Sequence, residues 1–306
     1  MTPERSLVFL GSKAAGLRAC RALAALLPAG RLEAIVCPED RADPRSVYEE
    51  FDALAKAHGI PIYVVPNRRE TMTLLERLEP ETAIVHGWYQ ILDVASLPGT
   101  TFLGFHYSPL PRYRGNAPLV WQIIQGESEI GVSFFELTAE MDAGRLIDQK
   151  TATLGTEETI ADALDKADAL ALDMLGDFVP TWLEGTVELR PQPEGEPSYC
   201  AMRVPEDGRI DWSWPGDRIH DFIRAQTRPY PGAFTILPDG RRLMVYRSAR
   251  ETRRFMGAPG SVAEISAGHV VIAAGEGAVR LIEAAVEGEG AQPAASLIRS
   301  LKTRLG

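Results

Sequence analysis

Two side chains in this sequence have the types and settings to pass a proton between them. His106 stands in Gly104-Phe105-His106-Tyr107-Ser108-Pro109-Leu110-Pro111-Arg112-Tyr113-Arg114-Gly115, and Asp142 in Met141-Asp142-Ala143-Gly144. A carboxylate set beside an imidazole fixes its tautomer and favours its charged form, as a general base near neutral pH requires. General acid–base help of this kind contributes about 10²–10⁴-fold to a rate. Taken singly, each residue has a plainer reading: a histidine capping the end of a strand, and an aspartate closing a turn. Other constellations are weaker. His58, His220 and His269 lack partners at metal-ligand spacing, so no metal is implied. Gly131-Val132-Ser133 is not a nucleophile elbow. In Gly11-Ser12-Lys13-Ala14-Ala15-Gly16 the lysine follows the first glycine too closely for a phosphate-binding loop, which leaves a structural strand-to-helix turn.

The elements that carry the pair can be read in order. Apolar runs predict strands at 6–10, 32–37, 60–65, 82–85 and 101–105, with helices at about 16–27, 47–58 (Ser46 as N-cap) and 71–78. Continuous apolar strands alternating with helices mean a doubly wound parallel, Rossmann-like α/β sheet. His106 then sits at the carboxyl end of the fifth strand, where open α/β sheets bind ligands. Pro109, Pro111 and Gly115 force a shaped loop after it. His86-Gly87-Trp88-Tyr89 follows the fourth strand at the same edge; Trp88 and Tyr89 are either core or a face for a flat ligand. A helix at 116–125, strands at 129–137 and 145–151 flanking Asp142, and a helix from Thr156 to about 178, ended by Pro180, complete the first part.

Residues 186–205 are rich in Pro and Glu. After a short helix at about 215–225, β-type segments at 233–237, 241–248, 260–265, 268–274 and 277–284 suggest a small barrel of oligonucleotide/oligosaccharide-binding (OB-like) type, closed by a helix at about 292–303. The implied division is a catalytic domain over 1–188, a linker over 189–205 and an OB-like domain over 206–306.

Composition narrows the partners. The 306 residues are 45% hydrophobic and 24% charged, with a formal net charge of −10, which argues against a partner held mainly through phosphates. Cys20, Cys37 and Cys200 form neither a disulfide framework nor a metal pair. The N-terminal Met1-Thr2-Pro3-Glu4-Arg5-Ser6 lacks a signal-peptide apolar core, and no run approaches a membrane span, so a cytoplasmic protein without membrane contact is expected.

With these residues in view, the sequence resembles the folate-dependent formyltransferases. The resemblance is carried by Gly104 through Leu119, Gly126-Glu127, Gly131-Val132 and Met141-Asp142-Ala143-Gly144, and in the second half by Asp207-Gly208-Arg209-Ile210-Asp211-Trp212 and Arg228-Pro229-Tyr230-Pro231-Gly232-Ala233-Phe234. It is strongest in style with sugar N-formyltransferases and the aminoarabinose formyltransferase domain. It implies transfer of a formyl group from 10-formyltetrahydrofolate to a primary amine, without a metal. His106 would take or relay the amine proton, with Asp142 in support. Trp88, Tyr89, Gln90, Ile91, Leu92, Thr138, Ala139, Glu140 and Met141 would line the folate pocket. Ser108, Leu110, Pro111 and Asn116 would touch folate or the incoming amine. A homodimer through the C-terminal region is the assembly implied by analogy.

One position departs from the family. Where its members usually carry an Asn that stabilises the oxyanion of the tetrahedral intermediate, this chain has Gly104. Losing one such donor costs about 10²–10³ in rate. The Asn116 amide, His86, Gln90, a backbone N–H or water would have to replace it. Otherwise the chain is a different folate-dependent one-carbon transferase, or a non-catalytic folate- or sugar-binding relative. The loop after the second strand, Cys37-Pro38-Glu39-Asp40-Arg41-Ala42-Asp43-Pro44-Arg45, is short and carries three acids. It therefore favours a nucleotide-linked amino sugar or another small amine over tRNA.

Overall fold

The structure, a computed structural model, describes residues 6–306. The segment 1–5, on which the signal-peptide argument partly rests, lies outside the described residues. No helix among the described residues is long and apolar enough to cross a membrane. The chain divides into two compact units. One comprises residues up to Arg114, Gly131–Ala152 and Ala167–Tyr199; the other comprises Gly115–Ile130, Thr153–Lys166 and Cys200–Gly306.

The first unit is built on β1 (Leu7–Gly11), α1 (Lys13–Leu26), β2 (Leu32–Pro38), α2 (Tyr48–His58), β3 (Ile62–Val65), α3 (Arg68–Leu78), β4 (Thr82–His86) and β5 (Thr101–His106). After β6 (Arg114–Gly115) and α4 (Pro118–Ile124) come β7 (Glu129–Glu136), β8 (Leu146–Thr153) and α5 (Ile160–Glu184). The seven-stranded sheet runs β3-β2-β1-β4-β5-β7-β8. Every residue of β1 and β4 is buried, the mark of strands covered on both faces. The sheet is mixed rather than wholly parallel: β1 to β5 are parallel, but β7 pairs with β5 antiparallel, His106 opposite Ser133. Residues 115–130 are counted with the second unit, so this connection supplies the sheet with no crossover helix, and only a crossover returns a chain parallel.

Several boundaries differ from the sequence expectation. α1 begins at Lys13, whose φ is +60°, directly after β1. The N-cap of α2 is Val47, because the Ser46 hydroxyl is committed to Asp40 at 2.8 Å. α3 starts three residues early, capped by Asn67, whose side chain accepts from the Glu70 amide at 3.1 Å. α5 continues through Pro180 to Glu184. Proline costs the helix one bond, but Val179 and Trp182 are buried there, and the Trp182 indole donates to Thr82 Oγ1 at 2.9 Å. Packing of the last turn outweighs the local penalty.

The second unit carries α6 (Gly216–Arg224) and an antiparallel sheet. After β9 (Tyr199–Cys200), which pairs with β6, come β10 (Ala233–Ile236), β11 (Arg242–Arg250), β12 (Val262–Ile265), β13 (Val270–Ala273), β14 (Ala278–Val286) and β15 (Gln292–Pro293). The order is β10-β11-β14-β13-β12, with β15 on β14. The expected terminal helix shrinks to α7 (Ala294–Leu297). The rest of the tail pairs with the sheet instead: the Leu305 amide donates to Gly260 O at 2.8 Å, and Leu305 is buried.

One close approach shapes the edge where the candidate residues lie. A Cβ on Gly16 of α1 would stand 2.6 Å from His86 O, and one on Gly87 (φ +69°) 2.1 Å from Ser12 O. Only bare backbone lets α1 close on the end of β4. Gly87→Ala is therefore expected to destabilise the fold by roughly 3 kcal/mol, combining left-handed strain with overpacking. Gly30→Ala, at φ +84° with open space around it, should lose only about 1 kcal/mol. Urea unfolding of the two variants makes the comparison; equal losses would show that the close approach carries no energy.

Candidate functional site

The carboxyl ends of β4 and β5, the loop after β4 and the loop between β7 and β8 enclose a cavity of about 330 Å³ in the first unit. His106 and Asp142 both line it. His106 Nδ1 lies 3.7 Å from an Asp142 carboxylate oxygen, within ion-pair range. The other ring nitrogen, Nε2, is 2.7 Å from the Tyr113 carbonyl. A carbonyl only accepts, so Nε2 carries the proton and Nδ1 of the neutral ring is the free base. The structure thus brings together the two residues that the sequence separates by 36 positions, with the basic nitrogen turned to the carboxylate.

The Asp142 loop is held from behind. Asp142 has φ +50°, and a Cβ on Gly144 would fall 1.7 Å from Glu136 O, so the glycine lets this loop fold onto β7. Gln192 donates to the Asp142 carbonyl at 2.7 Å and to the Gly144 carbonyl at 2.9 Å. Its own carbonyl accepts from the buried Arg114 guanidinium at 2.7 Å. Neither Arg114 nor Gln192 was singled out from sequence; Gln192 stands in a Pro/Glu-rich stretch that reads as linker, with no local pattern to mark it.

The expected binding residues fall into two groups. Trp88, Gln90, Ile91, Leu92, Gly104, Thr138 and Met141 line the cavity. Ile91 and Met141 stand 76% and 59% exposed beside it, apolar surface of the kind that a ligand covers. Gln90 is steadied by Thr71 at 3.3 Å. Trp88 packs on the core cluster of the sheet, while its indole nitrogen is buried without a partner. Tyr89, Ala139 and Glu140 do not line the cavity, and neither do Ser108, Leu110 and Pro111. Ser108 and Leu110 are buried because they hold the loop: the Ser108 hydroxyl donates to Arg112 O at 2.7 Å, and the Leu110 amide donates to Ser133 Oγ at 3.1 Å. Asn116 lies in the second unit, exposed, beside a separate apolar cavity of about 350 Å³. Gly104 borders the cavity, and a Cβ there would meet Leu137 Cδ2 at 3.1 Å and Val85 O at 3.3 Å.

A second cluster was not foreseen as a unit. Arg18 on α1 pairs with the buried Asp168 on α5, and Asp168 accepts from the Tyr107 hydroxyl. That hydroxyl lies 3.1 Å from His86 Nε2. Burial, aided by the positive Arg18 nearby, pushes the His86 imidazole down to about 4. Burial likewise raises the thiols of Cys20 and Cys37, the latter to about 12, which makes both poor nucleophiles. No group of three or more His, Cys, Asp or Glu among the described residues could hold a metal ion.

The His86 shift has a stability consequence. The unfolded chain binds a proton near pH 6.5, but the fold refuses it until about pH 4, so stability contributed by neutral His86 is present above pH 6.5 and is lost as pH falls toward 4. At about 1.4 kcal/mol per unit, the loss is at most about 3 kcal/mol. Chemical denaturation at pH 7 and pH 4.5 should show a shallower decline for His86→Asn than for the parent; parallel curves would place His86 in a wetter setting.

The formyl transferase family pattern matches residues 56–175, and the formyl transferase C-terminal domain pattern matches residues 203–302. A methionyl-tRNA formyltransferase of Pelobacter propionicus is 32% identical over 304 residues, covering 96% of this chain and 93% of the relative. Among solved structures, a sugar 3N-formyl transferase, WlaRD, determined with dTDP and 5-N-formyl-THF, superimposes with a TM-score of 0.71 at 16% identity, covering 94% of this chain and 99% of that one. The N-formyltransferase from Helicobacter canadensis, in complex with folinic acid and dTDP-3-aminofucose, gives the same TM-score at 16% identity, covering 92% of this chain and 100% of that one. At such identities the structural likeness speaks for the two-domain fold. The sequence matches across both halves carry the assignment: the chain belongs to the formyl transferase family and is an enzyme of its folate-dependent class.

Proposed function

We propose that this enzyme moves the formyl group of 10-formyltetrahydrofolate to the primary amine of a small, nucleotide-linked amino sugar, with His106 as the base. The observation that carries the chemistry is the orientation of His106: Nε2 spent on Tyr113 O, Nδ1 turned to Asp142 at 3.7 Å. The residues present fit the carrier. The cavity lies within the range of small-ligand sites, Ile91 and Met141 offer apolar surface, and the partnerless Trp88 indole N–H offers a donor. When bound, the carrier supplies an electrophilic formyl carbon. His106 Nδ1 accepts the proton that the amine must lose, and the imidazolium so formed is stabilised by the adjacent Asp142 carboxylate. Gln192 and Arg114 keep that carboxylate in place through the loop backbone. His86 cannot replace the missing family Asn as a donor, because its Nε2–H is directed to Tyr107.

Local charge favours a small acceptor. In the loop between β2 and α2, Arg41 pairs with Glu39 and Arg45 with Asp43, and Lys13 of α1 pairs with both Asp40 and Asp43 of that loop. These cations are already answered by local carboxylates, whereas phosphate-dominated recognition needs uncompensated Lys and Arg. A second reading, formylation of a charged tRNA, is favoured by the name of the relative that spans the same two halves. Incubation with 10-formyltetrahydrofolate and either charged initiator tRNA or a panel of nucleotide-linked amino sugars, followed by product mass, decides between them. Formylated sugar is expected; formylated tRNA alone would overturn the acceptor assignment.

His106→Ala should lower kcat by about 10²–10⁴-fold and Asp142→Asn, which tolerates the left-handed backbone, by a smaller factor, both at near-parental melting temperature. Parental rates in either variant would end the base assignment. In Gly104→Asn the half-buried Leu137 can give by a few tenths of an ångström but the Val85 carbonyl at 3.3 Å is backbone, so the variant's melting temperature is compared with the parent's before its rate is read. Its kcat should rise by about tenfold or more if a lost oxyanion donor is restored. An unchanged rate would show that position 104 does not border the reacting carbon.

A further inference from the structure

Two segments of the second half that carry the family resemblance, 207–212 and 228–234, take no part in the His106 cavity. Gly208 of the first, and Tyr230 and Phe234 of the second, line instead the apolar cavity of about 350 Å³ beside Asn116. Val120 of α4, Met244 of β11, Arg203 and Val204 join them, and the whole lining belongs to the second unit. Phe234 and Met244 are buried, so the inner wall is apolar. Val204 and Tyr230, 52% and 37% exposed, leave large side chains uncovered on the same cavity.

One charge on this cavity has no counter-charge. Arg242 lies within ion-pair range of Glu206 and Glu287, but Arg203 has no ion-pair partner among the described residues. Its guanidinium lies 5.1 Å from the Trp121 ring and 5.9 Å from the Phe222 ring. Its Nη2 donates to two neutral oxygens, Gln226 Oε1 at 2.5 Å and the Asp207 carbonyl at 2.8 Å. The Asp207 carboxylate accepts from the Val204 amide at 2.8 Å instead. A guanidinium carries donors on all three nitrogens. Those on Arg203 Nε and Nη1 have no partner among the described residues, and neither nitrogen is sealed from water. Burial pulls the guanidinium below its ordinary basicity, against the opposing pull of Asp207. Ring contacts use the face of such a group and leave its N–H edge for an anion.

We propose that this cavity is a second ligand site, for a small apolar monocarboxylate whose carboxylate meets Arg203 and whose body lies along Val204, Tyr230 and Phe234. The volume falls within the range of small-ligand sites. A single negative charge matches the single unanswered cation, and Glu287 on the same cavity disfavours a second. The site stands independently of the acceptor assigned to formyl transfer.

Calorimetric titration of the full chain with 3-phenylpropanoate and its neutral amide, 3-phenylpropanamide, tests the site. The acid is expected to bind one to one with a Kd of about 0.1–1 mM, ordinary for a ligand of this size. It should bind about tenfold or more tighter than the amide, the worth of a charge-assisted hydrogen bond. Arg203→Gln should abolish that preference. Because Arg203 also ties Gln226, a second variant, Val204→Glu, changes only an exposed position; it should weaken the acid about tenfold by like-charge repulsion and the amide little. Saturating 5-formyltetrahydrofolate should leave the acid's Kd unmoved. Equal binding of acid and amide to the parent, an intact preference in Arg203→Gln, or unchanged acid affinity in Val204→Glu would each overturn the site. So would displacement of the acid by 5-formyltetrahydrofolate, which would put it in the His106 cavity, or no binding of the acid at about 10 mM.

Discussion

The hydrogen bond from His106 Nε2 to the Tyr113 carbonyl governs the site. It decides which ring nitrogen keeps its lone pair, and so where a proton can be taken. That bond exists because the loop after β5 doubles back within seven residues. The doubling back is fixed by Ser133, whose hydroxyl donates to the Ser108 carbonyl at 2.7 Å, accepts from the Leu110 amide and meets Gln149 at 2.8 Å. Residues with no access to the cavity thus determine the chemistry of one that has it.

The carboxylate is delivered by a different device. Asp142 sits in left-handed backbone on a loop whose carbonyls are tied to Gln192, itself tied to the buried Arg114. The loop is held by its backbone while the carboxylate faces the imidazole, and Gly144 lets the backbone close on Glu136 without a side chain in the way. The same logic operates at the end of β4, where Gly16 and Gly87 admit α1 to contact distance. The cavity edge is therefore made of backbone brought close by glycine, with a few side chains set into it.

The strand edge presents two unlike histidines. His106 has Nδ1 turned to the Asp142 carboxylate; His86 is buried beside Arg18, which keeps its ring neutral. The same side chain thus meets two unlike surroundings at one strand edge.

The sequence by itself determined the strand and helix order of the first unit, the β-rich second half and the family, and it singled out the motifs that carry His106 and Asp142. Each is written in local terms: apolar periodicity, turn residues, and a contiguous motif whose glycines and prolines constrain the backbone. What the tertiary structure decided is whatever depends on partners distant in the chain. The antiparallel return of β7 depends on where residues 115–130 pack. The run of α5 through Pro180 depends on Trp182 meeting Thr82. The collapse of the expected last helix depends on the tail finding Gly260. In the site, the roles of Arg114, Gln192 and the Arg18–Asp168–Tyr107–His86 chain rest on hydrogen bonds across long stretches of sequence. A hydrogen bond is specified by position in space, and no local pattern encodes it.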